Sequence, residues 1–354
     1  MSQQTQNALV PIGRSEFVEE IEKAFEVTDL AALVVAVSNI SGSIVVEAWE
    51  QPTVHIRALK RARSQRSFDR TQVEISQDGA EIRARTRIDE ETIFAGVMDL
   101  LRGDRAGATV EYTVHMPAGG ALRAKNVNGT VAVSGLTNRS DVNAVNGAVS
   151  LVNLSGHIDA GTVNGSLKAA GLSGAAELST VNGSLDLTGA ELGQLEARTV
   201  SGSIRAALSI APDGRYEFST TNGNCELTLP PESRCTLTME SVNGGVECGL
   251  PHTTISSEMR PAFSSWEGAI NGGGAPVRVR TVNGRLRVFA GALAEPRGGE
   301  PTKQAAEPEK PAERGTMDIL RAVERGELSV DDAMKAMGAK PSKTTGAPAE
   351  HVSS

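Results

Sequence analysis

The side chains that could carry out acid–base chemistry share no spacing in this sequence. Asp141, Asp159 and Asp186 each stand alone in their stretch of chain, and neither an HExxH motif nor a glycine-rich phosphate loop occurs. The histidines likewise lack a common interval; they are His55, His115, His157 and His252. Glycan-cleaving enzymes place two carboxylates in one groove. The pattern argues against an enzyme: a glycan-active enzyme is the least favoured hypothesis, and we expect no catalytic residues, no cofactor and no small-molecule substrate.

The cysteines do not form a metal or disulfide pattern. Cys225, Cys235 and Cys248 are odd in number and lack a CxxC spacing, so no zinc site is indicated. Cys225 and Cys248 occupy positions that are aliphatic elsewhere in the repeat described below. We interpret both as small core side chains.

Nine basic residues concentrate between positions 57 and 87, and eight of them form a candidate patch for an anionic partner: Arg57, Lys60, Arg61, Arg63, Arg66, Arg83, Arg85 and Arg87. Arg83, Arg85 and Arg87 alternate with less polar residues, which predicts one solvent-facing row on a strand. An anionic membrane surface is the candidate partner. The alternative, which we favour, is a solvated strand face whose charge discourages edge pairing.

A second candidate contact follows in the segment Glu91–Gly107, which could be a short helix or a loop tip. Its apolar residues are Ile93, Phe94, Val97, Met98 and Leu101. Packed on the fold they are ordinary core, which is the favoured interpretation. Exposed beside the arginines, they would contact a membrane or a protein.

Composition limits the class of protein. The chain has 354 residues, 37 glycines, 3% aromatic residues and a net charge of −8, which is not the basic footprint of a nucleic-acid-binding protein. The opening residues resemble no secretory signal, and the apolar run Leu30–Val37 is too short to span a bilayer. We therefore expect a cytoplasmic protein, peripheral to the inner face of the membrane.

The elements that position these residues follow from an internal repeat. Asn-Gly, or once Ser-Gly, recurs at intervals of 18, 18, 18, 19, 21, 21 and 40 residues, starting at Asn128, Asn146, Asn164, Asn182, Ser201, Asn222, Asn243 and Asn283. The last interval suggests two periods with a degenerate copy between them. Aliphatic rows lie one residue before and three and five residues after the Asn. Such rows indicate stacking in a solenoid.

Two architectures fit short strands joined by regular corners. An antiparallel meander would need a second layer to cover its apolar face, and no helices in the repeat region supply one. We therefore predict a mainly β fold, a β-solenoid with coils of about 18–21 residues, with all three rows buried. Its handedness is left open, with right preferred. Asn-Gly is expected to supply positive φ at each corner, and the Thr two residues before the Asn is expected to form an outward or a corner row.

The ends of the chain differ from the repeat. Residues 1–29 are predicted as an extension with a short helix or an edge strand near Phe17–Phe25, and residues 30–290 as the solenoid. A Pro- and Glu-rich linker (291–314), a helical hairpin (315–339) and a disordered tail (340–354) follow. The hairpin should dock on a protein partner or on a second copy through Ile319, Leu320, Val323, Leu328, Met334 and Met337.

The chain resembles the bacterial putative-adhesin, or Toast-rack, β-solenoid family of unknown function. The resemblance rests on VSNISGSIVVEAWE (Val37–Glu50), on Ala108–Leu136 and on the V-N-G coils that end at Asn283. The segment TMDILRAVERGELSVDDAMKAMG resembles the SHOCT-like helical element of envelope-stress proteins of the YvlB and LiaX type. The resemblance implies a non-catalytic scaffold linked to the bacterial envelope or its stress response. Alternatives are a self-assembling bactofilin-like solenoid and an exported surface adhesin.

Overall fold

The structure, a computed structural model, describes residues 17–88, 108–260 and 263–292. These residues form 23 β-strands and one short α-helix, and all the strands belong to one continuous sheet. The sheet winds into coils that stack in parallel. The predicted mainly β solenoid is therefore confirmed.

The strands are numbered in chain order. Those before the regular coils are β1 (Phe17–Glu26), β2 (Val34–Ser41), β3 (Ile44–Trp49), β4 (Thr53–Ala62), β5 (Thr71–Asp78), β6 (Glu81–Ile88) and β7 (Thr109–Pro117), with helix α1 (Gln65–Arg70) after β4. The regular coils contain β8 (Ala121–Asn128), β9 (Val131–Ser134), β10 (Ser140–Asn146), β11 (Val149–Val152), β12 (His157–Asn164), β13 (Leu167–Ala170), β14 (Ser173–Asn182), β15 (Leu185–Ser201), β16 (Ile204–Asn222) and β17 (Cys225–Leu229). The last strands are β18 (Cys235–Asn243), β19 (Val246–Cys248), β20 (His252–Arg260), β21 (Phe263–Ile270), β22 (Ala275–Asn283) and β23 (Leu286–Ala290).

Each regular coil has one strand that leads into the Asn-Gly corner and a second strand that leaves it. Equivalent residues of successive coils pair in parallel, so that Asn146 lies between Asn128 and Asn164. After the corner, Val149 pairs with Val131 of the preceding coil. A meander is excluded, because it would pair the two strands of one coil with each other.

Two of the three predicted aliphatic rows are buried. The rows three and five residues after the Asn lie in the core, except for the half-buried Val246 and Cys248 of β19. The row one residue before the Asn was wrongly predicted as core, since its valines are 39–46% exposed: Val127, Val145, Val163, Val181, Val200, Val242 and Val282. This position has the opposite strand parity from the inward-facing residues two and four before the Asn.

The threonine row faces inward and lies against the corner, so of the two predicted placements the outward one is wrong. Its members are only 3–5% exposed: Thr162, Thr180, Thr199, Thr220 and Thr281. Each hydroxyl donates a hydrogen bond of 2.9–3.3 Å to a glycine carbonyl of the adjacent coil. A buried hydroxyl with a partner avoids the free-energy penalty of an unsatisfied polar group.

Positive φ does not explain the repeated glycine, which corrects a second expectation. A further corner lies at Ser41-Gly42, between β2 and β3. Among the corner glycines only Gly42 and Gly129 have left-handed φ, at 118° and 133°. At Gly165 an added Cβ would lie 2.1 Å from the carbonyl oxygen of Gly147, and the other corners are as tight. Glycine is therefore required because the corners stack backbone against backbone.

The N-terminal end of the solenoid is closed by antiparallel strands. β6 and β7 stack in parallel on the first coil, which β2 and β3 form. β4 and then β1 continue antiparallel beyond β7, and β5 continues antiparallel beyond β6. Of the helix and the edge strand left open near Phe17–Phe25, the structure has the strand. Helix α1, which the sequence analysis missed, is capped by Ser64, whose hydroxyl accepts from the Ser67 amide at 3.3 Å.

The C-terminal coils do not stack in sequence order. The last coil, β22 and β23, inserts between the coil of β16 and β17 and that of β18 and β19. Asn283 therefore lies between Asn222 and Asn243. The degenerate copy predicted in the 40-residue interval does not exist, because that stretch contains the antiparallel hairpin of β20 and β21.

The charges of one surface row favour this insertion. In the observed order one row alternates in sign along the solenoid: Lys168, Asp186, Arg205, Glu226, Arg287 and Glu247. Arg287 lies 3.8 Å from Glu226 and 3.3 Å from Glu247. Stacking in sequence order would place those two glutamates side by side, and like charges on neighbouring strands are destabilising.

Several predictions fall outside the described residues. They are the apolar segment with Ile93, Phe94, Val97, Met98 and Leu101, the linker, the tail, and the helical hairpin with its docking face. Within the described residues, no helix is long and apolar enough to cross a membrane.

Candidate binding site

The eight predicted basic residues do not form one surface. Face A is the outward side of the strands that lead into the Asn-Gly corners, and β6 continues it beyond β2. Face B is the outward side of the strands that leave the corners, and β7, β4 and β1 continue it beyond β3. Arg83, Arg85 and Arg87 lie on face A, on β6, whereas Arg57 and Arg61 lie on face B, on β4. Arg63 and Arg66 are exposed residues around the start of α1.

Lys60 was wrongly placed in the exposed patch. Its position on β4 has inward parity, and the residue is 5% exposed. The ammonium group lies 3.2 Å from the Glu19 carboxylate and 3.9 Å from the centroid of the Phe68 ring. Lys60 therefore closes the end of the solenoid and offers no surface to a partner.

Most of the remaining predicted cations already have a carboxylate partner. Arg57 pairs with Glu20, and Arg61 lies 3.6 Å from Glu111. On β6, Arg83 lies 2.6 Å from Glu81 and Arg87 lies 3.2 Å from Glu74. The hydrogen bond to Glu20 raises the pKa of the Arg57 guanidinium, and the hydrogen bond to Glu81 raises that of Arg83. Exposed pairs of this kind stabilise a fold only slightly, but they neutralise the patch.

Arg85 differs from its neighbours and faces a second cation that the sequence analysis missed. Ser38 on β2 pairs in register with Arg85 on one side and with Lys125 of β8 on the other. Neither cation has an ion-pair or hydrogen-bond partner within residues 17–88, 108–260 and 263–292. Two strand spacings separate them, about 9.6 Å.

A cleft of about 480 Å³ lies between these cations, and we call it the cationic cleft. The small side chain of Ser38 separates Arg85 from Lys125, and Asn143 extends this polar row. The parallel row nearer the corner is aliphatic and consists of Ile40, Val127 and Val145. The cleft thus offers positive charge on one side and apolar surface on the other.

Two further cavities lack this charge pattern. One, of about 460 Å³, has Glu232 beside Arg234, and the other, of about 400 Å³, has Glu226 beside Arg285 and Arg287. An acidic side chain lines each of these two cavities and reduces its attraction for an anion, whereas no acidic residue among those described lines the cationic cleft. Glu74 of β5 pairs in register with Arg85, but its carboxylate lies 3.2 Å from Arg87. Among these three cavities, the cationic cleft is therefore the best candidate for a binding site.

A row of carboxylates follows the cationic cleft along face A, which the sequence analysis also missed. In register, Arg123 is followed by Asp141, Asp159, Glu177, Glu196 and Glu217. Partial burial, and then the neighbouring Asp141 and Glu177, raise the pKa of the Asp159 carboxyl. Asp141 and Asp159 do not stand alone as predicted, because the 18-residue interval stacks them.

The structure also brings together two histidines that share no sequence spacing. On face B, His115 stacks on Trp49 with ring centroids 5.3 Å apart, and His55 lies 6.2 Å from His115. Glu22 lies 2.9 Å from the His55 imidazole, and Glu47 lies 3.3 Å from the His115 imidazole. In the part of the chain that the structure describes, no group of three or more His, Cys, Asp or Glu residues could hold a metal ion.

The cysteines are packing residues. Cys225 and Cys235 are buried and Cys248 is half-buried. Burial raises the pKa of the Cys225 thiol, and it raises that of Cys235 to about 11. Thiols in such surroundings are poor nucleophiles at neutral pH.

The signal for the cationic cleft is present in the sequence only through the repeat. Lys125 stands three residues before Asn128, and Ser38 stands at the equivalent place before Ser41. Counting positions back from each corner would have aligned these two residues. Arg85 lies beside Ser38 because β6 pairs with β2. No local sequence pattern predicts this pairing.

Comparison with protein families agrees with the architecture. The model of the family described as Toastrack DUF4097 matches residues 35–288. No curated protein matches the chain. Three solved structures resemble it. A putative cell adhesion protein from Clostridium sporogenes has 9% identity and a TM-score of 0.24, covering 77% of this chain and 100% of its own.

The other two structures come from two further bacteria. A putative adhesin from Bacteroides fragilis is 11% identical, with a TM-score of 0.38, over 76% of this chain and 97% of its own. A putative lipid binding protein from Parabacteroides distasonis is 9% identical, with a TM-score of 0.34, over 76% of this chain and 96% of its own.

Proposed function

We propose that this chain, which belongs to the Toastrack DUF4097 family, is a non-catalytic binding scaffold of the bacterial cell envelope whose cationic cleft holds an anionic amphiphile. The solenoid is the rigid frame, and the cleft is the place where the ligand docks. One observation carries the proposal: Arg85 and Lys125 flank a cleft with an aliphatic side, and neither has a partner among the described residues.

The chemistry of the cleft selects the ligand class. A phosphate or carboxylate group between the two cations would gain charge-assisted hydrogen bonds. An acyl chain attached to it would cover Ile40, Val127 and Val145, which removes apolar surface from water. An anion without an apolar part would leave that surface exposed, so an anionic lipid at a membrane surface is the best-matched source.

The location and the partners follow from this ligand. Anionic lipids give the inner leaflet a negative surface potential, which attracts clustered Lys and Arg. We place the protein at the inner face of the cytoplasmic membrane, where the predicted hairpin around Ile319–Met337 would dock a protein partner. A role in envelope organisation or in the stress response would then consist of linking that partner to the membrane.

Co-sedimentation with lipid vesicles tests the proposal. The full chain should sediment with phosphatidylcholine vesicles that contain phosphatidylglycerol, and not with phosphatidylcholine alone. Each cation near an anionic surface contributes roughly 1 kcal/mol, so the double substitution R85E/K125E, which removes both cations and adds two negative charges, should weaken binding by at least about thirtyfold. High salt should weaken it as well.

The matched control reverses two other exposed cations, in R215E/R234E. It changes the net charge equally and should leave binding intact. If both variants lost vesicle binding equally, the effect would come from the net charge of the protein. The assignment of the cleft as the binding site would then be wrong. If inorganic phosphate displaced the protein from the vesicles completely, the apolar side of the cleft would contribute nothing to binding. The ligand would then be a free anion and not a lipid.

A further inference from the structure

The sheet ends in four edge strands within the described residues, and three of them carry protection against pairing. β1, β5, β19 and β20 each pair on one side only. β1 carries five charged residues, β5 carries Glu74 and Asp78, and β19 is three residues long. Charge and short length are the usual devices that stop an edge from recruiting another strand.

β20 has neither a net charge nor a short length. It is nine residues long, every residue is exposed, and His252–Ser257 carries no acidic, lysine or arginine side chain. Its Ile255 and Met259 are the most exposed large apolar residues that the structure describes, at 58% and 69%. A shift in register between Thr254 and Ser256 places Ile255 outside the pairing with β21.

Any partner that binds this edge pairs with a strand that has no net charge. The only acidic or basic residues of β20 at neutral pH, Glu258 and Arg260, form an ion pair with each other. A charged peptide would therefore find no complementary charge here. A second β20 meets no repulsion, although the whole chain carries a net charge of −8, because the edge itself is neutral.

We propose that β20 is a self-association edge: two copies of this chain pair their β20 strands antiparallel about a twofold axis, which joins the two solenoids through one continuous sheet. An antiparallel strand pair is self-complementary under twofold symmetry. Backbone hydrogen bonds supply the contact, and Ile255 and Met259 lose part of their exposure to water. The proposal involves neither Arg85 nor Lys125, so it stands or falls independently of the cationic cleft.

Sedimentation velocity of the full chain over a range of concentrations tests the proposal. The wild-type protein should show a monomer–dimer equilibrium. The variant I255K/M259K places four lysines at the joint of the dimer and should raise the dissociation constant by at least about tenfold. The control V163K/V200K replaces two other exposed apolar residues by lysine, away from any edge and in coils that are not adjacent, and should dimerise like the wild type.

Hydrogen exchange of the unmodified chain supplies a test without substitutions. The β20 amides should exchange more slowly as the protein concentration rises, in step with the dimer fraction. A wild-type chain that stays monomeric at every concentration would overturn the proposal. So would β20 amides that are protected equally at all concentrations, since another segment of the same chain would then cover the edge.

Discussion

The hydroxyl of Thr162 donates a 2.9 Å hydrogen bond to the carbonyl oxygen of Gly147, one coil away. The same bond recurs wherever a threonine stands two residues before the corner, for example from Thr180 to Gly165 at 3.2 Å. The corners stack so closely that only glycine fits. The repeated sequence therefore encodes one stacking contact: a glycine that permits close approach and a threonine that satisfies the glycine carbonyl.

The first prediction concerns Ala144, which occupies the threonine position between Asn126 and Thr162. A threonine here would donate to the carbonyl of Gly129, so A144T should raise the free energy of unfolding by about 1 kcal/mol. Thermal and urea unfolding would measure the gain. A144V has nearly the same shape without the hydroxyl, and an equal gain in A144V would contradict the hydrogen-bond explanation.

The second prediction tests the close approach of the corners. G165A would place a Cβ atom 2.1 Å from the carbonyl oxygen of Gly147, and the coils would have to separate. We expect a loss of roughly 3 kcal/mol or more, measured by thermal unfolding. G245A is the control, because its Cβ would meet no atom within 4 Å. A harmless G165A would show that corner packing does not limit stability.

The third prediction concerns the carboxylate row on face A. The raised pKa of Asp159 means that the folded state disfavours its ionised form. The D159N protein should therefore be more stable than the wild type at pH 7, by roughly 0.2–1 kcal/mol for each like-charge neighbour. The gain should vanish as the pH falls below the unfolded value of about 3.9.

Asp186 on face B is the control for this prediction. It stands between Lys168 and Arg205 in the alternating row, so D186N should lose stability under the same conditions. If both substitutions shifted the unfolding midpoint in the same direction, local charge order would not be the cause.

The fourth prediction concerns the buried phenol of Tyr112, whose hydroxyl lies 2.9 Å from the Thr86 hydroxyl. Burial raises its pKa to about 12, against about 10 in an unfolded chain. The folded state therefore favours the neutral phenol. The contribution of this preference to the free energy of unfolding is complete below pH 10 and is lost as the pH rises from 10 to 12. Y112F should lack this part of the alkaline destabilisation, as followed by tyrosinate absorbance and circular dichroism. An alkaline limb identical to that of the wild type would contradict the assignment.

The repeat made the architecture predictable. The constant interval between Asn-Gly pairs and the rows three and five residues after them were enough to infer parallel stacking. Parity explains the main error within the coil. The valine before the Asn, such as Val163, is apolar yet points outward, whereas Thr162 is polar yet points inward and finds a carbonyl. Hydrophobicity alone could not separate these two rows.

The ends and the cleft could not be predicted in the same way, because they depend on pairings between distant segments. The register of Arg85 with Ser38 joins residues 47 positions apart in sequence, and the inserted last coil places Asn283 next to Asn222. Only the alternating signs of Glu226, Arg287 and Glu247 hinted at that insertion. The basic residues that are close in sequence likewise lie on two faces, because β4 pairs with β7 whereas β6 pairs with β2.

The most direct test of the cationic cleft is a fluorescent probe at its centre. With Cys248 replaced by serine and the two other cysteines buried, a cysteine introduced at Ser38 can carry an environment-sensitive dye between Arg85 and Lys125. A dye at Ser150 on face B serves as the control. Phosphatidylglycerol vesicles should shift the emission of the Ser38 probe to shorter wavelength and leave the Ser150 probe unchanged. No shift at Ser38, or an equal shift at both positions, would contradict the assignment of the cleft as the lipid site.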